Sequence, residues 1–302
     1  MAGFIIQIKL EKTGQPVALK KSNSQVFRFK PRRHYSGLNM AKPIRVNYDA
    51  IAPTYDQRTQ DGYLEGVTST LQDLARQVKV RRVLDLGCGT GRSLRGLADN
   101  LQPRPTCYGL DFSGGMLQQA RRFDSRYRLV NASALRPPFS PASFDLVFCV
   151  HAFHHFPDKP QVVQAAYRIL RPGGIFAIVN FDPYESRRSW YVYDYFESVY
   201  ETDLERFPRL AEQEAMLNQA GFQHVSQTMV EHINDTIVGE AVFDSYFLRK
   251  DACSQLILLS DEAYQAGLAR MRARLAEAKA RGEEVVFQTD LKNWMCYGLT
   301  PI

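Results

Sequence analysis

The chain has 302 residues, 45% hydrophobic and 23% charged, an ordinary globular composition that allows one large core or a core with an appended lid. No apolar run approaches the ~18 residues of a membrane-spanning helix, and no charged-then-apolar leader runs into a small-residue cleavage site. The five cysteines (Cys88, Cys107, Cys149, Cys253 and Cys296) form no C-x-x-C pair and are odd in number, which argues against a disulfide framework or a zinc site and for a reducing, cytoplasmic setting.

The net charge of +6 is unevenly placed. Residues 1–42 carry nine Lys or Arg and one acid, Glu11, leaving the other 260 residues at −2. A surface that neutralises phosphates belongs within the fold, so this slightly acidic body predicts no nucleic-acid partner. The basic arm has little periodicity beyond short apolar runs at 4–6 and 26–29. Met40-Ala41-Lys42-Pro43 reads as an ordinary protein start, so residues 1–39 are an over-extended start, a basic targeting peptide or a docking arm.

From residue 43 strands and helices alternate. A helix is predicted from Asp61 to Gln77, with Leu64, Val67, Leu71 and Leu74 on one stripe. Val83–Leu86 is a short apolar strand that runs into glycines and a helix from Arg92. Thr106–Leu110 is the next strand, and Ser113 caps the following helix. Tyr127–Val130 and Leu146–Val150 read as buried strands. Asp158 caps a helix to Leu170, Arg171-Pro172-Gly173-Gly174 stops it, and Ile175–Phe181 is a further strand. Such alternation predicts an α/β fold, Rossmann-like, with an open, mostly parallel seven-stranded sheet covered on both faces. Beyond Phe181, aromatic residues crowd 190–200, a helix runs from Arg209 to Gly221, and Val225–Val230 is a strand. Residues 233–283 read as a helical insertion whose clearest helix is capped by Ser260 and presents Tyr264, Leu268, Met271 and Leu275. A last strand covers 285–297. Lid insertions are predicted at 183–207 and 233–283.

The sharpest motif is Asp85-Leu86-Gly87-Cys88-Gly89-Thr90-Gly91 between a strand and a helix. Glycines there let backbone approach a ligand, and the helix N-terminus favours an anion. The spacing is G-x-G-x-G rather than the G-x-G-x-x-G of dinucleotide loops, which leaves an amino-acid-sized ligand or a plain tight turn. Asp111 ends the next strand, 20 residues after Gly91, where an acid accepts from both hydroxyls of a ribose or caps the next helix. Phe112 and Met116 are placed to flank an adenine or to join the core. Asn131-Ala132-Ser133 ends the third strand, where Asn131 accepts from an adenine amino group or forms an Asx turn.

These segments resemble the class I S-adenosylmethionine-dependent methyltransferases, closest to the branch that methylates ubiquinone and menaquinone rings and many small molecules. The likeness covers 45–181 and includes Tyr48-Asp49-Ala50-Ile51-Ala52-Pro53-Thr54-Tyr55-Asp56. It implies S-adenosylmethionine as cofactor, with Asp85, Gly87, Cys88, Gly89 and Gly91 around its methionine part, Asp111 on the ribose, Asn131, Ala132 and Ser133 on the adenine, and Tyr55 closing over it. The family more often has Asp at Asn131, and Arg136 looks inserted before Pro137-Pro138-Phe139. The fourth strand, Phe144 to Val150, and the loop His151-Ala152-Phe153-His154-His155 correspond to the reacting end, with Cys149, Val150 and His151 beside the sulfonium. His151 is the candidate general base, while His154 and His155 read as structural; no acid cluster accompanies the three, so no metal is expected. Asn180-Phe181-Asp182-Pro183-Tyr184 is like the D-P-P-Y signature of amino-group methyltransferases but follows the wrong strand. The predicted activity is methyl transfer to a small, apolar or aromatic acceptor; the alternative is an RNA or protein acceptor docked through the arm.

Overall fold

The structure, a computed structural model, describes residues 46–58, 64–185 and 190–302. The basic arm lies outside them, as do residues 61–63, where the first long helix is predicted to begin. The seven strands are β1 (Arg82–Leu86), β2 (Thr106–Asp111), β3 (Arg128–Asn131), β4 (Phe144–Val150), β5 (Leu170–Phe181), β6 (Gln223–Val238) and β7 (Val286–Leu299). They form one sheet in the order β3-β2-β1-β4-β5-β7-β6. The first five are parallel, and β7 runs antiparallel between β5 and β6. The predicted fold class is therefore the one observed. The chain leaves β1 toward β2 and β3, then returns to the other side of β1 for β4, so the strand order reverses at β1. In open α/β sheets ligands bind in the crevice outside the carboxyl ends of the strands at such a reversal.

Two cores cover the sheet because its strands are apolar on both faces. Val83, Leu146, Phe148, Ile175, Ala177 and Val179 point one way, toward α2 (Glu65–Gln77) and α3 (Arg92–Asp99), where Leu71, Leu74, Leu94 and Leu97 meet them. Leu84, Leu86, Val147, Phe176 and Ile178 point the other way, toward α5 (Lys159–Ile169) and α8 (Leu210–Ala220), onto Val162, Val163, Ala166 and Leu217. This is the period-2 division expected of a sheet buried on both sides, and full burial of each large aliphatic or Phe side chain contributes roughly 1.5–3 kcal/mol. Two short-range devices then fix the helix starts. Ser113 Oγ accepts from Met116 N–H (3.1 Å) at the head of α4 (Gly114–Phe123), and Asp158 Oδ1 accepts from Gln161 N–H (2.9 Å) at the head of α5. A single turn, α1 (Tyr48–Ile51), and a 3₁₀ stretch over Ala52–Arg58 precede α2.

Three expectations need correction. β3 is an edge strand of half-exposed residues, and of the run Tyr127–Val130 only Tyr127, just before the strand, is buried. Arg171–Gly174 lies inside β5 as an irregularity: pairing jumps from Phe144↔Leu170 to Leu146↔Ile175. Residues 233–238 are strand, since β6 continues to Val238 against Val286–Asn293, and the helical insert begins only after it. Asn234-Asp235-Thr236 resembles a turn in sequence, yet Val285, Phe287, Thr289, Leu291 and Asn293 are buried at every second position, the mark of a ribbon with one covered face. What covers it is the insert. The aromatic stretch packs inward: Trp190, Tyr191 and Phe196 are at most 3% exposed and form a third core with Leu268, Met271, Phe287 and Leu291. They support the insert.

The insert comprises α6 (Tyr191–Tyr195), α7 (Val199–Arg206), α9 (Ser254–Ile257) and α10 (Asp261–Ala280). Ser260 caps α10, and its predicted face is buried or half-buried. Asp203 is wholly buried and takes Arg206 Nη2 (2.8 Å), Tyr193 Oη (2.8 Å) and Gln255 Nε2 (3.0 Å), which ties α6, α7 and α9 together. No helix among the described residues is long and apolar enough to cross a membrane.

Candidate active site

The register of β1, β2 and β3 brings the predicted acids to one edge, with Asp85 opposite Gly109 and Asp111 opposite Asn131. Beyond β1 the backbone turns at once. Gly87 N–H and Cys88 N–H both donate to Leu110 C=O (2.7 and 3.1 Å), so the loop folds over the end of β2. Gly87 has φ +79°, and a Cβ there would stand 2.5 Å from Ala152 Cβ. Gly89 has φ +52° with open space on its Cβ side, so a ligand can reach its backbone. Gly91 is the N-cap of α3. Cys88 is buried, and its thiol abuts Gly109, so it offers the site only backbone.

The two acids differ. Asp111 Oδ2 accepts from Gly89 N–H and Oδ1 from Ser113 N–H, both at 2.8 Å, which fixes the carboxylate and leaves further lone pairs for hydroxyl donors. Burial raises its carboxyl above the usual range. Asp85 is 2% exposed and its buried Oδ1 has no hydrogen-bond partner; burial, and then the charge of Asp111, push its carboxyl well up. Asn131 uses its amide N–H groups on Asp111 C=O (3.0 Å) and Phe112 C=O (2.9 Å), so its side-chain oxygen is left as the acceptor. Ala132 N–H is taken by Asp111 C=O (3.1 Å), and Ser133 Oγ accepts from Leu135 N–H (3.3 Å). Ala132 therefore has no N–H left for a ring nitrogen. Phe112 is 75% exposed whereas Met116 is buried, so only Phe112 presents an open ring face.

A strap of residues 48–58 crosses this edge. Asp49 Oδ1 accepts from Ser113 Oγ and Gly115 N–H (both 2.7 Å), and those bonds, Gly115 first, hold its carboxyl below the usual range. Asp56 Oδ1 accepts from Thr90 Oγ1 (2.6 Å) and faces Arg92 Nη2 (3.3 Å). Tyr48 Oη lies 2.7 Å from His155 Nε2, and Tyr55 packs edge-on to Tyr48. Asp49, Asp56, Thr90 and Tyr48 were not singled out from sequence as site residues. Their signal is weak: short polar side chains next to a recognised motif, with partners up to 107 positions away.

At the end of β4, His151 has φ +50°, a left-handed conformation that costs a non-glycine residue on the order of 1–2 kcal/mol, and its N–H donates to Val179 C=O (2.9 Å). Burial lowers its imidazole to about 4. His155 is lowered to about 3 by burial, then by the charges of Arg206 and Lys159. His154 is lowered well below the usual range, stacks on Phe207 at 3.9 Å and meets Asn180 Oδ1 through Nδ1 (3.3 Å). All three imidazoles are neutral at neutral pH. Val150 is half-buried on the α2–α3 side of the sheet. Cys149 is a correction: it is wholly buried in the core under α5, its thiol pushed well up by burial, because strand alternation turns it away from the crevice.

Residues 84–178 match the methyltransferase domain family. A 27-O-demethylrifamycin SV methyltransferase of Amycolatopsis mediterranei is 32% identical over 167 residues, 47% of this chain and 61% of that protein. A 2-phytyl-1,4-naphtoquinone methyltransferase of Thermosynechococcus vestitus is 28% identical over 210 residues, 60% of this chain and 91% of that one. A ubiquinone biosynthesis O-methyltransferase of Paracidovorax citrulli is 40% identical over 110 residues, 33% and 44% respectively. The match thus spans under two thirds of the first and third of these relatives. Among solved structures, a methyltransferase from an antibiotic biosynthesis pathway of Anabaena variabilis superposes with TM-score 0.58 at 21% identity, covering 77% of this chain and 96% of that one. Residues 84–178 thus carry the likeness to the methyltransferase domain family, in keeping with the class I S-adenosylmethionine-dependent resemblance of the glycine loop.

The residues present fit S-adenosylmethionine, the cofactor that the resemblance implies. A buried, unpartnered carboxylate oxygen on Asp85 suits an ammonium group, the space beside Gly89 admits a ligand, and Asp111 is already held by two backbone N–H groups with capacity for hydroxyl donors. Among the described residues no group of three or more metal-ligating side chains converges.

Proposed function

We propose that this methyltransferase moves the methyl group of S-adenosylmethionine to a small-molecule acceptor held between the carboxyl ends of β4 and β5 and the helical insert. Bound S-adenosylmethionine supplies an electrophilic methyl on a positive sulfur. Asp111 accepts from the ribose hydroxyls, Asn131 Oδ1 from the adenine amino group, and Phe112 covers one adenine face. Asp85 and the backbone of the glycine loop hold the amino-acid end, and Tyr55 closes over it. His151, neutral and with its Nε2 buried at the end of β4, accepts the acceptor's proton as the nucleophile forms. The relatives named for rifamycin, naphthoquinone and ubiquinone chemistry support a small acceptor with a planar or apolar body.

The observation that carries this reading is the contrast of Asp85 and Asp111, one carboxylate buried with an unclaimed oxygen and its neighbour pinned by backbone, both beside an open glycine turn. Titration calorimetry tests it. S-adenosylmethionine and S-adenosylhomocysteine are expected to bind with 1:1 stoichiometry and NAD far more weakly; NAD binding as tightly as either would overturn the assignment.

A further inference from the structure

Buried polar atoms are normally hydrogen-bonded, so a concentration of unclaimed ones calls for an explanation. Below the helical insert one such concentration stands beside the reacting end. Asn180, at the end of β5, is 1% exposed; its Oδ1 meets His154 Nδ1 at 3.3 Å while its amide N–H groups have no partner. Because Oδ1 only accepts, that contact puts the proton of the neutral His154 on Nδ1 and leaves buried Nε2 an unclaimed acceptor. Phe207 stacks on the same imidazole, and Arg206, its neighbour at the end of α7, has a buried Nε with no partner. Lys159, at the head of α5, donates to Phe156 C=O (3.2 Å). Among the described residues it forms no ion pair, although Glu212, which receives Arg209 N–H at 3.0 Å, bears on its charge.

The balance of charge is one-sided. Asp203 offsets Arg206 and is itself held by three donors. Asp182 is occupied by Tyr184 N–H (2.8 Å) and Leu210 N–H (3.4 Å). With the three histidines neutral, Lys159 is a half-buried charge in no ion pair among the described residues, and Arg206 and Glu212 are the charges that bear on it. A structural role alone would be expected to close these bonds within the protein.

We infer that Asn180, Arg206 and Lys159 form an anchor for an oxyanion, a carboxylate carried by the methyl acceptor away from its methylated atom. This deepens the proposed function and rests on it. The pair His154–Asn180 positions the amide, and Phe207 covers the imidazole, so the anchor is built from β5, α5 and the end of α7 together. An acceptor then bridges from this anchor to His151.

The test uses the full chain saturated with S-adenosylhomocysteine and three matched probe pairs: benzoate and benzamide, 4-hydroxybenzoate and 4-hydroxybenzamide, octanoate and octanamide. Binding is read by ligand-observed NMR titration. At least one carboxylate is expected to bind about tenfold or more tightly than its amide, in line with charge-assisted hydrogen bonds. Lys159→Gln and Asn180→Leu should each erase most of that preference while leaving S-adenosylhomocysteine affinity unchanged. Equal binding within all three pairs, with S-adenosylhomocysteine bound normally, overturns the anchor and leaves the methyltransferase reading intact. Failure to bind S-adenosylhomocysteine would instead sink that reading. A carboxylate preference that persists in both variants also overturns the assignment, and if Asn180→Leu fails to fold, Lys159→Gln alone decides.

Discussion

The edge proposed for the cofactor and the edge proposed for the acceptor are built from different materials. Around Asp111 the donors are mostly backbone: Gly89 N–H, Ser113 N–H and the carbonyls that hold Asn131. Around His151, His154 and Asn180 the polar atoms are side chains, and they arrive from β4, β5, α5 and α7. A backbone site requires glycine and a tight turn, which leave a fixed spacing in the sequence. A side-chain site requires only that distant elements meet, and it leaves no spacing at all. The same difference governs how each edge can fail: the first through loop geometry, the second through single groups.

The largest expected effect lies at the acceptor edge. With a methyl acceptor in hand, His151→Ala should keep cofactor affinity and lower kcat by ~10²–10⁴-fold if the imidazole takes the proton. Its pKa of about 4 places the limb of the pH–rate profile. The rate should rise as pH climbs through about 4 and be level by neutrality, not rise near the ~6.5 of a free imidazole. Full turnover in His151→Ala with that limb intact would leave positioning as the only protein contribution. The same burial has a stability consequence. A histidine whose folded pKa is depressed stabilises the fold above its unfolded value, and that contribution is lost as pH falls from about 6.5 toward about 4.

At the proposed cofactor edge, Asp111→Ala removes the acceptor for two backbone N–H groups and the one proposed for two ribose hydroxyls. Affinity for S-adenosylhomocysteine should drop about tenfold to more than a hundredfold by calorimetry, equivalent to roughly 1.5–3 kcal/mol. An unchanged Kd in a folded variant would move the ribose elsewhere.

How legible each edge is in the sequence follows from this division. The glycine triplet, Asp111 and the two helix caps stand where the sequence puts them, because each depends on neighbours within a few residues. Cys149 does not: it is still in β4, whose alternation sends it into the core, while His151 lies past the strand in a left-handed turn. Residues 233–238 were unreadable as strand for a related reason. Their covered face is made by Phe287, Leu291 and the insert, all more than fifty positions away or across the ribbon. The aromatic run 190–200 carries composition without direction, and only packing against α10 shows that Trp190, Tyr191 and Phe196 are core.

Asp85 sharpens the comparison because it mixes both characters, a side-chain charge under a backbone turn. Its raised carboxyl means that it favours the fold while protonated, below its unfolded pKa, and loses that contribution as pH rises through the folded one. Its buried Oδ1 has no partner in the cofactor-free protein, and that unmet hydrogen bond works against the cofactor-free state. Asp85→Asn should raise the cofactor-free Tm by about 2–6 °C and weaken S-adenosylmethionine by about tenfold. A variant less stable without cofactor would mean that the carboxylate is satisfied in the free protein, and its role as a reserved partner for the ammonium group would fall.

The smallest expected effect belongs to the strap, which touches both lips of the cofactor edge through Asp49 on the α4 side and Asp56 on the α3 side. Hydrogen-bonded carboxylates as open to solvent as exposed Asp49 and partly exposed Asp56 contribute little to overall stability, so neither Asp49→Asn nor Asp56→Ala should shift Tm appreciably. Their effect should appear in rates. A ligand under the strap can leave only when the strap lifts, and each bond removed makes lifting easier. Stopped-flow measurement of S-adenosylhomocysteine dissociation should show roughly two- to fivefold faster release for each variant, with association little changed. The depressed carboxyl of Asp49 adds a pH signature: its contacts hold above the ordinary carboxylate range and are lost as pH falls through its lowered value, so release from the unaltered protein should accelerate at that acidic end. Asp49→Asn should flatten that acceleration, while Asp56→Ala should leave it in place, since Asp56 reaches the other lip. Release rates identical to those of the unaltered protein in both variants would show that the strap merely packs beside the cofactor edge and does not close it.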